Sequence, residues 1–462
     1  MQIFNTMSRR KENFVPIQEG KVGIYACGPT VYNYFHIGNA RPFVVFDVLR
    51  RYFEYKGYEV KFVQNFTDID DKMINRANDE GITVKELGDR FIDEYFKDAG
   101  ALGVREASVH PRATEHIDAI IKIVELLFKN GHAYEAGGDV YYDTTTFSGY
   151  GKLSGQNTRD LNSGARIEVG MDKKHPADFV LWKGAKPGEP SWDSPWGKGR
   201  PGWHIECSAM STVHLGETVD IHCGGQDLIF PHHENEVAQS EGAFGKPFVN
   251  YWMHNGFLNI DDEKMSKSAG NFFTVRDILK KYNAETVRVF LLSAHYRNPL
   301  NFSEDILKQT EASLQRLYTA RDKALFLLDK ASGETYKDGE EAIVKAIDET
   351  LTKFESAMDD DLNTAEGMGA LFELVYIMNT ELSGESSKKL VDYALTTLTK
   401  ICDVLGLLMK DAEELPEEVQ KLAKEREIAR KEKNWALSDE LRDKIIAMGY
   451  TVEDTLEGQK IM

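Results

Sequence analysis

The stretch VGIYACGPTVYNYFHIGNARPFVVFDVLRRYFEYKGYEVKFVQNF, residues 22–66, decides the fold. Its first six residues, VGIYAC, form an apolar run of strand length, and Gly28-Pro29 directly after them is a turn signal. From Gly38 the spacing becomes helical, with Phe43, Phe46, Val48, Leu49, Tyr52 and Phe53 supplying the apolar side. GYEVKFVQNF (57–66) then reads as a second strand, with alternating Val60, Phe62 and Phe66. Strand, helix and strand in 45 residues make a βαβ unit, which predicts a parallel sheet in an α/β fold.

Between that first strand and its helix stands His36-Ile37-Gly38-Asn39. A helix head offers free backbone N–H groups and the positive end of the dipole, so it favours phosphate, and Gly38 lets a ligand approach closely. Asn39 donates through its amide and His36 through a ring nitrogen. The same four residues also read as an ordinary helix cap. A second signal lies far downstream: Lys264-Met265-Ser266-Lys267-Ser268, followed by Ala269-Gly270-Asn271. Lysines among small hydroxyls in a glycine-bearing loop suit a mobile lid whose ammonium groups meet charge developing on a pyrophosphate. Alone, it also reads as a solvated lysine loop.

Further out, residues 110–130 carry the amphipathic pattern Ile117, Ile120, Ile121, Val124, Leu127, Phe128, predicting a helix. Tyr134 to Pro201 differs in texture, with short β runs, many Gly and Pro, and three of the six tryptophans (Trp182, Trp192, Trp196). It reads as an insertion between two halves of the sheet domain. Sheet-like segments resume at VDIHCGG (219–225) and YWMHNGFLNI (251–260), and after Ser303, a candidate N-cap, the chain reads as helical to about Lys410. The acidic DAEELPEE (411–418) reads as a linker or helix start before a small basic tail bearing Trp435.

The length, 462 residues, suits about three domains. Lys plus Arg is 56 and Asp plus Glu is 75, a formal charge of −19, with 42% hydrophobic and 28% charged residues. That composition excludes intrinsic disorder, collagen and membrane-spanning classes. The acidic total opposes nonspecific coating of nucleic acid but leaves room for a local basic surface on one RNA. Four cysteines (Cys27, Cys207, Cys223, Cys402) are too few for a disulfide framework, and the N-terminus lacks the apolar core of a signal peptide. The charge-free run 22–40 is too rich in Gly, Pro, Asn and His to enter lipid. The expectation is a cytoplasmic protein.

Four residues from distant segments have the chemistry of a Zn²⁺ shell. Cys27 ends the first strand, at the edge where doubly wound sheets place their ligands, and Cys207 lies in WHIECS (203–208). In FPHHENE (230–236), Pro231 suits the first position of a helix. His232 and Glu236 are then i and i+4 on one face, while His233 points about 100° away. Two thiolates, an imidazole and a carboxylate form a recognised zinc donor set. There is no CxxC pair, and buried free thiols with a surface His/Glu pair remain the competing reading.

The order of HIGN signature, insertion, KMSKS segment and helical C-terminus resembles a class I aminoacyl-tRNA synthetase. YACGPTVYNYFHIGNAR (25–41), FTDIDDK (66–72), GWHIECSAM (202–210), GGQDLIFPHHENE (224–236), EKMSKS (263–268) and NWALSDELRDK (434–444) look like the cysteinyl-tRNA synthetase family, over essentially the whole chain. The resemblance implies one Zn²⁺ per chain held by Cys27, Cys207, His232 and Glu236, with the substrate thiolate as a further ligand. A pocket separates serine from cysteine poorly by size, whereas a thiolate binds zinc far better than an alcohol does. No editing domain is then needed, and an insertion of about 65 residues is small for one.

By the same resemblance, Thr67, Trp203, His222 and Asp227 surround the amino acid. His36, Asn39, Lys264 and Lys267 stabilise phosphate charge, with Gly38 and Ser266 completing the ATP site. Asn39 departs from the family's usual second histidine, yet its amide still donates to phosphate. Cys223 and Cys402 match no role. Aromatic stacking with cationic contacts is how unstacked RNA bases are read, so Arg430, Trp435, Asp439 and Asp454 are anticodon candidates. The implied partners are L-cysteine, ATP with Mg²⁺, and tRNA-Cys, with a monomer expected and no membrane. A ligase joining cysteine to an aminosugar and a non-catalytic relative are the rivals; the tail opposes the first and the intact signatures oppose the second. The expected division is a Rossmann-type catalytic domain (1–115 and 201–260), insertion (116–200), KMSKS and stem-contact region (261–305), helical bundle (306–410) and anticodon module (411–462).

Overall fold

A computed structural model describes residues 1–156, 173–260, 263–264, 273–410, 416–455 and 458–461. They form two compact units: Met1–Gln315 with Leu351–Leu371 and Ile401–Leu407, and Arg316–Thr350 with Phe372–Lys400 and Leu408–Met462.

The first unit is built on a four-stranded parallel sheet. Its strands are β1 (Lys21–Ala26), β2 (Glu59–Gln64), β3 (Val219–Gly225) and β4 (Val249–Asn255), in the order β4-β3-β1-β2. Helix α1 (Ile37–Tyr55) crosses from β1 to β2, and α2 (Trp203–Leu215) and α3 (Glu234–Phe244) flank β3 in sequence. The chain runs outward from β1 to β2 in one direction and from β3 to β4 in the other. The switch point therefore lies between β1 and β3, where α/β sheets open a crevice at their carboxyl ends.

Val22, Ile24, Tyr25 and Ala26 are all buried, as expected of a strand covered on both faces. Tyr25 pairs in register with His222 and Ala26 with Cys223. Period-two alternation puts Tyr25 and the following Cys27 on the face that also carries Cys207 and Met210 of α2 and Val237 of α3. Gly28 is required just beyond: a Cβ there would stand 1.7 Å from the Asn65 carbonyl oxygen.

Two elements differ from the sequence reading. The helix expected over 110–130 spans only Ile117–Lys129. Before it, Val109 and Arg112 bridge to Val63 and Phe66, so this segment extends along β2 and uses its edge groups. The run 251–260 breaks at Gly256, where a Cβ would meet the carbonyl oxygens of Arg297 and Asn298 at 2.6 Å. Leu258–Ile260 joins a separate small sheet with Glu263–Lys264 and Leu300–Phe302.

Between the sheet halves, Ala133–Ala136, Asp139–Tyr142, Phe179–Gly184 and Gly199–Pro201 form an antiparallel sheet. Its Tyr142, Leu181 and Trp182 share a core with Ile120, Val124 and Leu127 of the 117–129 helix, Ile205 of α2 and Ala238 of α3. Ser303 caps the helix Glu304–Lys330, accepting from the Ile306 N–H at 3.4 Å. The second unit ends in helices Glu417–Lys431 and Trp435–Ala447 and the hairpin Val452–Thr455/Gly458–Ile461. Among the described residues no helix is long and apolar enough to cross a membrane.

Candidate active site

Cys27 leaves β1 at the switch point, Cys207 comes from the second turn of α2, His232 from the turn just before α3, and Glu236 from the first turn of α3. Their ligand atoms all lie within 4.8 Å of one another. Cys27 Sγ is 4.0 Å from Cys207 Sγ and 3.8 Å from Glu236 Oε1, which is 3.0 Å from His232 Nε2. Cys207, His232 and Glu236 are almost wholly buried.

Burial pushes the Glu236 carboxyl and the Cys27 thiol up. Cys207 is lowered to about 7, chiefly by the hydrogen bond from Cys27, so it is the thiol that ionises first. A buried carboxyl beside two thiols and an imidazole, with Glu236 Oε2 accepting no hydrogen bond, is a donor set suited to a cation. In chemistry and spacing the four residues fit Zn²⁺.

His233 was expected to point away from this face, yet its Nε2 lies 3.3 Å from Cys27 Sγ. Residues Ile229–His233 form a wide π-type turn with extended backbone at Phe230, and the regular helix starts only at Glu234. Angles counted back at 100° per residue therefore fail at 232–233. His233 is also held from behind: its Nδ1 is 2.7 Å from His254 Nε2, and His254 Nδ1 is 2.8 Å from Thr6 Oγ1. His222, on β3, comes within 3.5 Å of Cys27 Sγ. Burial holds His222, His233 and His254 below the ordinary imidazole range, His254 at about 3, so all three are neutral.

The other expected amino-acid contacts are placed as follows. Trp203, 43% exposed, stacks on His232 with ring centroids 4.4 Å apart and forms a lip over the cluster. Thr67 is buried and donates its hydroxyl to Glu206 Oε2 at 3.0 Å. Asp227 is exposed in the turn after β3. A cavity of about 440 Å³ opens alongside, lined by Thr30, Asp70, Asp71, Lys72, Arg200 and Trp203 among others. Asp71 is held by Lys183, at 2.8 Å, and by Arg200, which ties the βαβ unit to the antiparallel sheet.

At the head of α1, His36 is the N-cap residue. Fewer backbone donors are free there than a bare helix start provides: Ile37 N–H donates to Phe273 O, and those of Asn39 and Ala40 return to His36 O. Gly38 N–H has no partner among the described residues. Lys264 lies in the strand that pairs with Leu258–Ile260, while Ser266 and Lys267 lie outside the described residues.

In the second unit Trp435 is 59% exposed and Asp439 is exposed. Arg430 and Asp454 pair with each other, and Asp454 also accepts from the buried Arg426 at 2.9 and 3.0 Å. Cys223 is buried with Sγ toward Tyr25 O, and Cys402 is buried, both apart from the cluster.

Sequence reasoning missed His204, Glu206, His233, His254 and Arg426. For Glu206 the available signal was its place beside Cys207 on a short helix with almost no polar face; for the others none was available, because their partners come from remote segments.

Comparison with known proteins finds matches along nearly the whole chain. Residues 13–312 match the family of tRNA synthetases class I (C) catalytic domain, residues 353–409 the DALR domain, and residues 412–461 the cysteinyl-tRNA ligase anticodon binding domain. The chain is 54% identical over 461 residues to the cysteine–tRNA ligase of Clostridioides difficile, covering 100% of this chain and 99% of that one. It is 54% identical over 464 residues to that of Caldicellulosiruptor saccharolyticus, with the same coverage. Among solved structures, it resembles Mycobacterium tuberculosis methionyl-tRNA synthetase bound to methionyl-adenylate, with TM-score 0.60 and 16% identity over 83% of this chain and 89% of that one. It also resembles Agrobacterium radiobacter LeuRS in a ternary complex with tRNA, with TM-score 0.62 and 11% identity over 85% of each chain.

Proposed function

The chain belongs to the cysteine–tRNA ligase family of class I aminoacyl-tRNA synthetases, and within that activity we propose that it selects its amino acid through a Zn²⁺ held by Cys27, Cys207, His232 and Glu236. The observation that carries this reading is the convergence of those four side chains to within 4.8 Å. Zinc bound there would supply a soft Lewis acid that takes a thiolate in preference to an alcohol. The protein's own part is geometric: the end of β1 and α2 present the two thiols, the turn before α3 presents the imidazole, and the first turn of α3 presents the carboxylate.

Around that position, Trp203, Thr67, His222 and Asp227 orient the substrate, with Asp227, exposed in the turn after β3, suited to its ammonium group. His36, Gly38 and Asn39 receive ATP phosphates at the head of α1, and Lys264, Ser266 and Lys267 meet the leaving pyrophosphate, with Mg²⁺ accompanying the nucleotide. The cysteine carboxylate attacks the α-phosphorus and pyrophosphate departs; a hydroxyl of the terminal ribose of tRNA-Cys then attacks the cysteinyl carbonyl, and AMP departs. No protein nucleophile is required, since positioning and electrostatics suffice. Trp435, Asp439, Arg430 and Asp454 present the anticodon-reading side, and one copy of the chain works as a cytoplasmic monomer.

Cys207→Ser tests the selection. Zinc content and the preference for cysteine over serine in pyrophosphate exchange should fall together. Departure of the metal with the preference intact sinks the mechanism while leaving the ligase assignment in place.

A further inference from the structure

Arg41, Arg288 and Arg426 are among the largest fully buried side chains, and they are not held alike. Arg288 grips the Asp47 carboxylate and Arg426 that of Asp454. Arg41, on α1, has no carboxylate within ion-pair reach among the described residues. Its partners are backbone carbonyls: Nη1 donates to Gly256 O at 2.8 Å and to Phe257 O at 3.0 Å, and Nη2 to His295 O at 3.3 Å. Its Nε is buried without a hydrogen bond. Burial lowers this guanidinium to about 10, so it is charged at neutral pH. Charged side chains are almost never fully buried unless paired, because burial without a counter-charge is costly.

The corner that Arg41 braces lies between the two phosphate signatures. At Gly256 the chain leaves β4 and turns into Leu258–Ile260, the strand that pairs with Glu263–Lys264. Three carbonyls of that corner face the interior, and a planar fork of N–H donors meets them at once. Arg41 stands three residues beyond Gly38 and so leaves α1 on the same face. The chain returns to the head of the same helix after Lys267: Ile37 N–H donates to Phe273 O at 3.2 Å, and Val275 N–H to Phe35 O at 3.1 Å. Helix α1 and its lead-in thus tie the lysine segment on the incoming side through Arg41 and on the outgoing side through residues 35–37.

We propose that Arg41 is a positioning residue for adenylate formation: its fork sets the strand that leads to Lys264 in fixed register with the phosphate-binding head of α1, so that the lysines meet the pyrophosphate as it leaves. The inference rests on the reading of Lys264 and Lys267 as the groups that meet that charge, and the lysine variants below test that reading separately.

The experiment is a mutant cycle on the full chain, read as single-turnover formation of cysteinyl-adenylate per active site. Arg41→Lys keeps the charge and loses the fork. It should slow adenylate formation about 100-fold, the loss expected of a misplacement near 1 Å, while equilibrium binding of cysteine stays as in the parent. Made in a Lys264→Ala/Lys267→Ala chain, the same substitution should slow the reaction almost no further, because a residue that acts through those lysines has nothing left to position. A parental rate in Arg41→Lys overturns the proposal. So does a 100-fold loss that persists in the lysine-free background, which would make Arg41 a brace of the corner alone. A Lys264→Ala/Lys267→Ala chain that activates cysteine at the parental rate overturns the reading of the lysines, and the proposal with it. Should Arg41→Lys not fold, Arg41→Gln takes its place in the cycle; failure of both to fold assigns Arg41 to folding and overturns the proposal.

Discussion

His204 is not one of the four proposed zinc ligands, yet its Nδ1 stands 2.9 Å from Nδ1 of His232. With the His232 Nε2 lone pair given to the proposed zinc, its ring proton is on Nδ1 and His204 accepts it. Burial holds His204 well below the ordinary imidazole range, so it is neutral and able to do so. Such outer partners fix a ligand's tautomer and ring angle, and their loss weakens metal binding about 10- to 100-fold. His204→Ala should therefore lower zinc affinity by that factor in a chelator competition; an unchanged affinity would show that His232 is held by Glu236 and the Trp203 ring alone. At this scale the donor chemistry of Cys27, Cys207, His232 and Glu236 was legible from residue type, but it was the family resemblance that joined the four into one set. His233 was not, since its direction depends on a π-type turn that no periodicity announces.

At the scale of elements, the C-terminal helices and hairpin are joined by one buried cation. Arg426, 1% exposed, grips Asp454 on the hairpin with both terminal nitrogens, Gln459 at 2.8 Å, and Ser438 O on the neighbouring helix. Hydrogen bonds from Arg426 lead the causes that hold the Asp454 carboxyl far below the usual range. Asp454 is about a third exposed, so the figure for breaking a fully buried pair is discounted to about 2 kcal/mol for Arg426→Gln. The check is hydrogen exchange: amides of Trp435–Ala447 should lose protection by that amount, while cysteine-dependent pyrophosphate exchange stays unaltered and tRNA charging declines. Full protection in the variant would assign the module's stability to its small apolar core of Val419, Ile445 and Val452 instead. The sequence suggested a basic helix with a solvated face, because a charge that will be buried looks like any other.

Within the first unit, Asp47 of α1 ties two distant segments to its own helix. It accepts from Arg288 at 2.5 Å, from Arg51 at 2.7 Å and from the Arg105 N–H at 3.1 Å. Arg288, fully buried, also donates to Leu405 O and Leu102 O. Burial alone would raise the Asp47 carboxyl, but Arg288 and Arg51 outweigh it, and the net shift is downward. A carboxyl depressed in the folded state adds stability that is present above its unfolded value, near pH 3.9, and is lost as pH falls through the folded value. Asp47→Asn should cost about 3 kcal/mol at pH 7, leaving two guanidinium groups short of a counter-charge. Urea midpoints should fall between pH 4 and pH 2 in the parent chain and vary less in the variant; parallel curves would place the acid sensitivity elsewhere.

Local pattern by itself determined the βαβ start, the insertion and the helical C-terminal half, because period and turn chemistry are written in neighbouring residues, whereas the four zinc-class donors were joined by the family resemblance and not by their spacing. The 117–129 helix start and the break at Gly256 were decided elsewhere, by an edge that needed partners and by a backbone approach that leaves no room for a Cβ. Only the tertiary structure turned Glu236 toward two imidazoles at once, set His204 behind His232, and buried Arg426 and Arg288. Each of those depends on what remote chain segments bring into a dry interior, where an unpaired polar atom costs far more than it does in water.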